Sequence, residues 1–451
     1  MNYIPNTDAD RQAMLAKIGV ADVDALFRDI PEEFRHPQYQ LPPALSEMEA
    51  LRELDALSAR NDDVTRRPIF LGAGAYYHFI PSVVPALLRS EFATAYTPYQ
   101  PEISQGTLQA HFEFQSMIVA LTGMEAAIVS HYDGATAAAE AVTMALKATS
   151  EGHSRIVVSP TLHPQYRAVI RTYLEGLPLT VVGDDVAPGD LDALAGLVDE
   201  TTACVVVANP DFLGRLYSPT EMQALADRVH QGRGLFVVSV DPISLGLFQP
   251  PGAYGADVVT GEGQPLGNPL SFGGPYLGLF ATRMQYVRKS AGRIVGETTD
   301  SEGQRGYVLT LNTREQHIRR EKASSNICSN QALNATAAAI YLACMGKQGL
   351  RKVAELCYHK AHYAATQLGK LPGYAVKAEG AFFKEFVLRC PRPVAEINQR
   401  LLQEYDIVGG YDLGQDYPAL AGHMLVCVTE MNTRAEIDRL VNALQAIAEK
   451  G

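Results

Sequence analysis

The sequence predicts a doubly wound α/β domain with a mainly parallel sheet, followed by a smaller α+β domain. From about Gly72 to Thr282, short and almost continuously apolar runs alternate with helical segments. Strands that are covered by helices on both faces have this composition, so the alternation indicates a parallel sheet. After Glu321, long helices precede two strands and a terminal helix. The ligand crevice of the first domain is expected beyond the carboxyl ends of its strands.

Each element is predicted from its apolar period and its flanking residues. The predicted strands of the first domain are Ala127–Ser130, Arg155–Ser159, Leu179–Val182, Ala203–Ala208, Leu235–Val240 and Ala256–Val259. The predicted helices between them are Gly134–Ala148, Pro164–Glu175 and Ser218–His230. In the second domain we expect helices at Ser329–Met345, Leu350–Leu368 and Thr433–Glu449, and strands near Tyr374–Lys377 and Phe382–Leu388. The predicted domains are therefore residues 1–70, 71–320 and 321–451.

The first of these segments is predicted to be a helical N-terminal arm. Ser46 and Glu49 have the spacing of a capping box, and Leu51, Leu54 and Leu57 follow at helical intervals. Such an arm packs either on the core of its own monomer or at a subunit interface. The sequence leaves both possibilities open.

Composition excludes several classes of function. A hydrophobic fraction of 47% in 451 residues suffices for buried cores in two or three domains. The net charge of -12 argues against nucleic acid as a partner, because a phosphate backbone requires a basic face. No segment is apolar enough to span a bilayer and the start lacks a signal-peptide core, so a soluble cytoplasmic protein is expected. The six cysteines contain no C-x-x-C pair and are predicted to be reduced core residues, with no metal site.

Two segments combine a strand end with a residue type suited to anion or cofactor binding. Tyr132, Asp133, Gly134 and Thr136 follow a strand and open a helix, where free N–H groups favour an anion such as phosphate. Asp133 or Thr136 could equally be an ordinary N-cap. Asp241 ends another strand, where an aspartate can pair with a protonated pyridine nitrogen, or can simply begin a turn.

Three further segments are candidate binding loops. Tyr96–Gly106 is dense in tyrosine and amide groups and is stiffened by prolines, although a packed connecting loop has the same composition. The glycines of Ser271–Gly278 allow close backbone approach, as a hairpin turn also would. The charges of Thr313–Cys328 suit either a solvated ion-paired face or an anion- or partner-binding junction of the two domains.

Together these segments resemble the P-protein of the glycine cleavage system, a glycine decarboxylase that depends on pyridoxal phosphate (PLP). The matching stretches are Tyr96–Gly106, Tyr132–Glu140, Ser271–Gly278, Gly292–Gly296 and Thr313–Leu333. The last stretch is long and specific, and the length matches subunit 1, the N-terminal half, of the bacterial form that is split into two subunits. The resemblance implies a fold-type I PLP-dependent transferase-like (aspartate aminotransferase-like) architecture.

A lysine is missing where this architecture requires one. PLP enzymes of this kind hold their cofactor as a Schiff base with a lysine, yet no lysine occurs from Ala148 to Arg288. The resemblance places the lysine position at about Gln264 or Pro265, and neither can form an imine. We therefore expect no catalytic lysine on this chain and PLP bound covalently to subunit 2. The residues expected to form a remnant cofactor pocket are Tyr132, Asp133, Gly134, Thr136 and Asp241.

The resemblance also implies a reaction and partners. A glycine dehydrogenase (aminomethyl-transferring) decarboxylates glycine on PLP, passes the aminomethyl group to the lipoyl arm of the H protein, and is linked to the T and L proteins. This chain would complete the active site of subunit 2 at the interface, in an expected heterotetramer. The expected wall residues are Tyr96, Tyr99, Gln100, Glu102, Ser104, Gln105, Gly273 and Gly274. The residues expected to order the domain junction or receive the H protein are Arg314, His317, Arg319 and Arg320.

Two alternatives stay open at this point. One is a self-sufficient PLP enzyme that uses Lys289 or Lys322, which would have to reach the crevice from outside the expected place. The other is a non-catalytic scaffold subunit that stabilises the PLP-bearing partner.

Overall fold

The computed structural model describes residues 5–149, 152–312, 315–323, 325–327, 331–377 and 380–449. Contacts divide the chain into two units, Met1–Asp62 and Asp63–Gly451. The α-helices are α1 (Asp8–Ile18), α2 (Glu47–Ser58), α3 (Val83–Leu87), α4 (Ser90–Ala93), α5 (Gln105–Thr122), α6 (Gly134–Ala148), α7 (Pro164–Leu174), α8 (Leu191–Gly196), α9 (Pro219–Gln231), α10 (Gln316–Arg319), α11 (Ala332–Leu368), α12 (Val394–Tyr405) and α13 (Arg434–Glu449). The strands are β1 (Ala126–Ala127), β2 (Arg155–Val158), β3 (Thr180–Val182), β4 (Thr202–Ala208), β5 (Arg215–Leu216), β6 (Leu235–Val240), β7 (Val258–Glu262), β8 (Gly278–Thr282), β9 (Ile294–Thr299), β10 (Arg305–Thr310), β11 (Ala375–Lys377), β12 (Ala381–Phe382), β13 (Glu385–Arg389), β14 (Tyr411–Asp412) and β15 (His423–Cys427).

The main sheet has seven strands in the order β1-β8-β7-β6-β4-β2-β3. From β7 to β3 all neighbours are parallel, whereas β8 is antiparallel to β7 and to β1. The prediction of a mainly parallel sheet is confirmed. Strand β8 was not predicted, because the glycine-rich segment before it indicated a hairpin turn. The first strand is also shorter than predicted and retains only Ala127 of Ala127–Ser130.

Both faces of this sheet are covered, which explains the continuous apolar runs. In β4, Val205 and Val207 belong to one core cluster, whereas Cys204 and Val206 belong to the other. Helix α6 packs in the second cluster with its alanines, and its bounds match the predicted helix. Successive residues of a strand point to opposite faces, so every residue of such a strand is buried when both faces carry helices.

The C-terminal part contains a four-stranded antiparallel sheet in the order β11-β13-β15-β14. Its core combines Phe386 and Val426 with residues of α12 and α13. Helix α11 replaces two predicted helices, which meet at Gly346, a glycine with a φ of 57° inside the helix. A positive φ favours glycine, and α11 is kinked at this residue. The kink lies where the sequence predicted a break between two helices.

The first unit, described by itself, has exposed helices. The predicted capping box is confirmed: Ser46 Oγ accepts a hydrogen bond from the Glu49 N–H, and Glu49 bonds back to the Ser46 N–H. Neither α1 nor α2 contains a buried residue. Its large exposed hydrophobic side chains are Met14, Ile18, Val23, Leu26, Phe27, Ile30, Phe34, Tyr39, Leu41, Leu45, Met48, Leu51, Leu54 and Leu57. So many exposed apolar side chains indicate an interaction surface.

Among the described residues, the structure contains no helix that combines the length and the apolar character needed to cross a bilayer.

Candidate functional site

A pocket lies at the carboxyl ends of the parallel strands, where the topology predicts the ligand crevice. Asp241 directly follows β6, and Glu262 ends β7. The small cavity between them has a volume of about 70 Å³. Its lining includes His163 and Tyr166 from the start of α7, and Phe383, Lys384 and Glu385 from the start of β13. The C-terminal sheet therefore contributes side chains to the pocket of the main sheet.

Asp241 forms a buried ion pair inside this pocket. The Nζ of Lys384 lies 2.6 Å from Asp241 Oδ2, and the two side chains are 1% and 11% exposed. The same ammonium lies 3.4 Å from the centre of the Tyr76 ring, a cation–π contact. Burial lowers the pKa of Lys384, but the Asp241 carboxylate together with the Cys427 and Cys357 thiols outweighs burial and raises that pKa above its ordinary value. Lys384 is therefore a protonated partner of Asp241 and not a free nucleophile.

The ion pair continues into a chain of hydrogen bonds. Lys384 Nζ lies 3.0 Å from His78 Nε2, and His78 Nδ1 lies 2.7 Å from Glu430 Oε2. Burial raises the pKa of Glu430, but His78 and the Phe79 N–H outweigh it and lower that pKa to about 2. Glu430 is therefore a carboxylate at neutral pH, and it fixes the imidazole of His78 against Lys384.

His78, Glu430 and Cys357 also form a cluster of possible metal ligands, with ligand atoms within 4.8 Å of one another. The Cys357 Sγ donates to Glu430 Oε2 at 3.3 Å, and burial raises the pKa of this thiol well above its usual range. Ligand atoms around a tetrahedral zinc are about 3.3 Å apart, longer than the 2.7 Å contact between His78 and Glu430. The cluster has the geometry of a hydrogen-bonded chain.

At the other end of the pocket, a carboxyl group occupies the start of α6. Asp133 caps this helix by accepting from the Thr136 N–H at 2.8 Å, so the N-cap interpretation is correct for Asp133. Glu262 Oε2 accepts from the Gly134 N–H at 3.0 Å. Glu262 Oε1 accepts from the N–H groups of Gln264 and Leu277. Burial raises the pKa of Glu262 to about 8, although these N–H groups oppose the shift.

The expected lysine position is filled by a fully bonded amide. Gln264 is buried, its Oε1 accepts from the Tyr76 N–H at 3.1 Å, and its Nε2 donates to the Asn268 carbonyl at 2.8 Å. Pro265 is also buried. The lysines of the self-sufficient alternative, Lys289 and Lys322, are exposed and do not line the cavity.

The pocket residues that were not singled out from the sequence include Glu262, Lys384 and His163. The Nδ1 of His163 accepts from the Gln165 N–H, so its Nε2–H donates to the Ala73 carbonyl at 3.0 Å. Its ring stacks on Tyr166 at 5.1 Å. A signal for Lys384 was available, since Lys384-Glu385 interrupts an otherwise apolar strand run. His163 directly precedes Pro164 at the start of a predicted helix, which indicates only a cap.

The predicted wall residues lie away from this pocket. All eight are described, and none of them lines the cavity. Tyr96 is 80% exposed, and Gln100 and Glu102 are also exposed. Gln105 bonds to both backbone groups of Tyr307, which ties the loop to β10. Ser104 precedes α5 without a side-chain capping bond.

Three of the stretches that carry the resemblance meet at Arg293. Its Nη2 donates to the Tyr99 hydroxyl at 3.0 Å, and its Nη1 donates to the Ile327 carbonyl at 3.1 Å. Its Nε lies 3.6 Å from Glu315 Oε2, in a pair that is about 90% buried. His317 is placed beside the same carboxylate, 5.8 Å from the Tyr99 ring. Arg293 was not singled out from the sequence, although it is the charged residue of the Gly292–Gly296 stretch.

The remaining predicted junction residues are solvent-facing or undescribed. Arg319 and Arg320 are exposed, as is His317. Arg314 lies outside the described residues.

The glycine-rich loop Ser271–Gly278 presents an exposed face. Gly273 and Gly274 have φ values of 113° and 136°, which other residues rarely adopt. Phe272 between Ser271 and Gly273 is 83% exposed. Asn334 donates to the carbonyls of Pro275 and Tyr276 and fixes the loop from α11. The loop is therefore held in place while its tip stays open to a partner.

The fold and pocket define the class of protein, a fold-type I PLP-dependent transferase-like fold. A glutamate decarboxylase from Lactobacillus brevis shares this fold with a TM-score of 0.66 at 16% identity, over 92% of this chain and 95% of that chain. The family model for the glycine cleavage system P-protein matches residues 1–444, and the chain belongs to this family.

Close relatives match over nearly their whole length. The chain is 53% identical to a probable glycine dehydrogenase (decarboxylating) subunit 1 of Thermomicrobium roseum, over 99% of each chain. A crystal structure of glycine decarboxylase (P-protein) in inhibitor-bound form matches with a TM-score of 0.89 at 42% identity, over 99% of this chain and 100% of that one. Both the family and the structural neighbours consist of PLP-dependent enzymes.

The pocket of this chain does not fit PLP. A protonated amine already pairs with Asp241, a carboxyl group already takes the Gly134 N–H, and a glutamine fills the lysine position. The remaining cavity of about 70 Å³ is well below the roughly 300–1,000 Å³ of typical small-molecule pockets.

Proposed function

We propose that this chain is subunit 1 of a two-subunit glycine decarboxylase, and that it completes an active site whose PLP is bound covalently by subunit 2. One observation carries the proposal. The chain's own pocket is filled by Lys384 and Glu262, whereas the loops Tyr96–Gly106 and Ser271–Gly278 are held by hydrogen bonds and carry the exposed side chains of Tyr96 and Phe272. Exposed loops that are held by buried contacts suit a surface that walls another subunit's site.

In this proposal the side chains of the Tyr96–Gly106 loop bind and orient glycine beside the partner's cofactor. Arg293 holds the Tyr99 hydroxyl, and Gln105 fixes the loop against β10, so the loop meets the substrate in one conformation. Preorganisation of this kind lowers the entropy lost when substrate is positioned. Gly273 and Gly274 have no side chains, which suits close approach of a cofactor group to their backbone, while their N–H groups donate to the carbonyls of Leu270 and Ser271.

The proposed partners are inferred from two other exposed regions of this chain. The exposed apolar side chains of the N-terminal arm suit subunit 2 as their packing partner, in a heterotetramer of two copies of each subunit. His317, Arg319 and Arg320 are exposed and suit an acidic lipoyl-bearing H protein, which receives the aminomethyl group. The enzyme would act in the cytoplasm with the T and L proteins.

The test is reconstitution from separate subunits. Subunit 1 and subunit 2 are purified separately, and glycine-dependent exchange of CO2 is measured for each alone and for the mixture. We expect full exchange only in the mixture. Full activity from this chain alone would contradict the proposal and favour a self-sufficient enzyme.

A further inference from the structure

The two charged ends of a PLP molecule have counterparts among the side chains of this pocket. A bound PLP presents a pyridine nitrogen to the aspartate at the strand end and a phosphate to the helix N-terminus in this architecture. In this chain Asp241 faces the Lys384 ammonium at 2.6 Å, and the Gly134 N–H faces the Glu262 carboxyl group at 3.0 Å. Both Asp241 and the Gly134 N–H are therefore already bonded to side chains of this chain, at the two positions that bind the ends of the cofactor in this architecture.

We propose that Lys384 and Glu262 are internal substitutes for the pyridinium and phosphate of PLP, and that Lys384 is the plug that keeps this pocket closed to the cofactor. Lys384 directly precedes β13 of the C-terminal sheet, whereas Asp241 directly follows β6 of the main sheet. The plug therefore also joins these two parts of the chain through a buried ion pair.

The surroundings of Lys384 are built to hold it. The ring of Tyr76 lies against the ammonium, His78 Nε2 accepts from it, and Glu430 fixes His78 from the other side. Tyr76 is fixed in turn by its hydroxyl, which donates to Glu385 Oε2 at 2.8 Å. A buried ammonium needs such partners, because an unpaired buried charge is strongly destabilising. The network explains why Lys384 stays in the pocket and does not turn outwards.

The experiment measures PLP binding by the purified full-length chain, by equilibrium dialysis. Lys384→Ala removes both the charge and the volume of the plug and leaves Asp241 free for a pyridinium. We expect this variant to bind PLP at least tenfold more tightly than the wild-type chain. Lys384→Met removes the charge but keeps the volume, so it serves as the matched control and should not gain PLP binding.

Two further variants show where PLP binds. Adding Asp241→Asn to Lys384→Ala should abolish the gain, because the partner of the pyridinium is lost. Adding Glu262→Ala should increase the affinity for PLP but not for pyridoxal, because the freed Gly134 N–H at the start of α6 can bind the phosphate that pyridoxal lacks. A gain that survives Asp241→Asn, or wild-type binding as tight as that of Lys384→Ala, would overturn the proposal.

A stability measurement keeps the proposal testable if the alanine variant is poorly folded. Lys384→Met and Asp241→Asn are each expected to shift the unfolding equilibrium about 100-fold, since each leaves a buried charge unpaired. The double variant should lose much less than the product of the two effects. Independent effects would contradict the ion pair. These tests depend on the fold alone, so they can fail while the glycine exchange assay succeeds.

Discussion

The pocket around Asp241 and the loop Tyr96–Gly106 differ in how their polar groups are satisfied. In the pocket, the charged and polar groups of Asp241, Glu262 and Gln264 have partners inside the chain. In the loop, Gln105 donates to the Tyr307 carbonyl of β10, while Tyr96 faces solvent at 80% exposure. In this chain the groups of a cofactor-type pocket bond to one another, while a loop away from the pocket keeps exposed side chains.

The largest effect is expected from the residue that orders the exposed region. Arg293→Ala removes the bonds to Tyr99 and Ile327 and the buried pair with Glu315, so the loop loses its fixed position. We expect glycine-dependent CO2 exchange by the mixed subunits to fall by about 100-fold or more, in line with the cost of misplacing positioning groups.

Arg305→Ala is the matched control, because Arg305 is an exposed arginine on β10 that contacts Tyr307. It should leave exchange within about twofold of the wild type, since surface substitutions usually have small effects. Comparable losses from both substitutions would argue that general loss of positive charge, and not the ordered loop, matters.

Tyr99→Phe tests whether the loop acts in turnover or only in assembly. The substitution removes a hydroxyl that accepts from a charged guanidinium, a bond worth about 1.5–3 kcal/mol. We expect exchange to fall by roughly tenfold while gel filtration shows the same assembled complex. Turnover that is unchanged would favour the scaffold alternative, in which this chain only stabilises the PLP-bearing partner.

Phe272→Ser tests whether the glycine-rich loop contacts the partner subunit. Because Phe272 is 83% exposed, its loss should change the free energy of unfolding of the isolated chain by less than about 0.5 kcal/mol. Burial of a phenylalanine at an interface contributes about 1.5–3 kcal/mol, so the affinity for subunit 2 should fall about tenfold or more. Leu177→Ser, at another exposed apolar residue, should leave that affinity unchanged.

The last prediction concerns how the stability of the folded chain depends on pH through Glu262. Burial raises the pKa of Glu262 to about 8, above its usual 4.5, so the folded chain retains this proton over a range where the unfolded chain loses it. Its stabilising contribution is present below pH 4.5 and is lost as pH rises through about 8. Glu262→Gln has no proton to lose and should therefore flatten the fall in unfolding free energy between pH 5 and pH 8. Urea titrations at several pH values would measure it, and an unchanged slope would contradict the assignment.

Local patterns were sufficient to predict the framework of the fold. The helix Gly134–Ala148 and the parallel strands follow from apolar runs and caps, which depend only on neighbouring residues. The strand β8 was missed because the glycines before it also suit a turn, and because no local pattern predicts its antiparallel pairing with β7.

The candidate site was predicted less completely. Sequence motifs identified Asp241 and Gly134, but no local pattern predicts which side chain pairs with Asp241 or accepts from the Gly134 N–H. Lys384 directly precedes β13 and reaches Asp241 only through the packing of two parts of the chain. In the sequence, Arg293 is one charged residue among many. The fold gives it contacts that join its own segment to two others, through Tyr99 and through Ile327 and Glu315.

The most direct test of the central claim is the location of the cofactor in the assembled enzyme. The complex is loaded with PLP, reduced with borohydride, digested, and mapped for pyridoxyl-lysine peptides. The account predicts the label on subunit 2 alone, with none on this chain. A pyridoxyl-lysine at Lys289, Lys322 or Lys384 of this chain would contradict it.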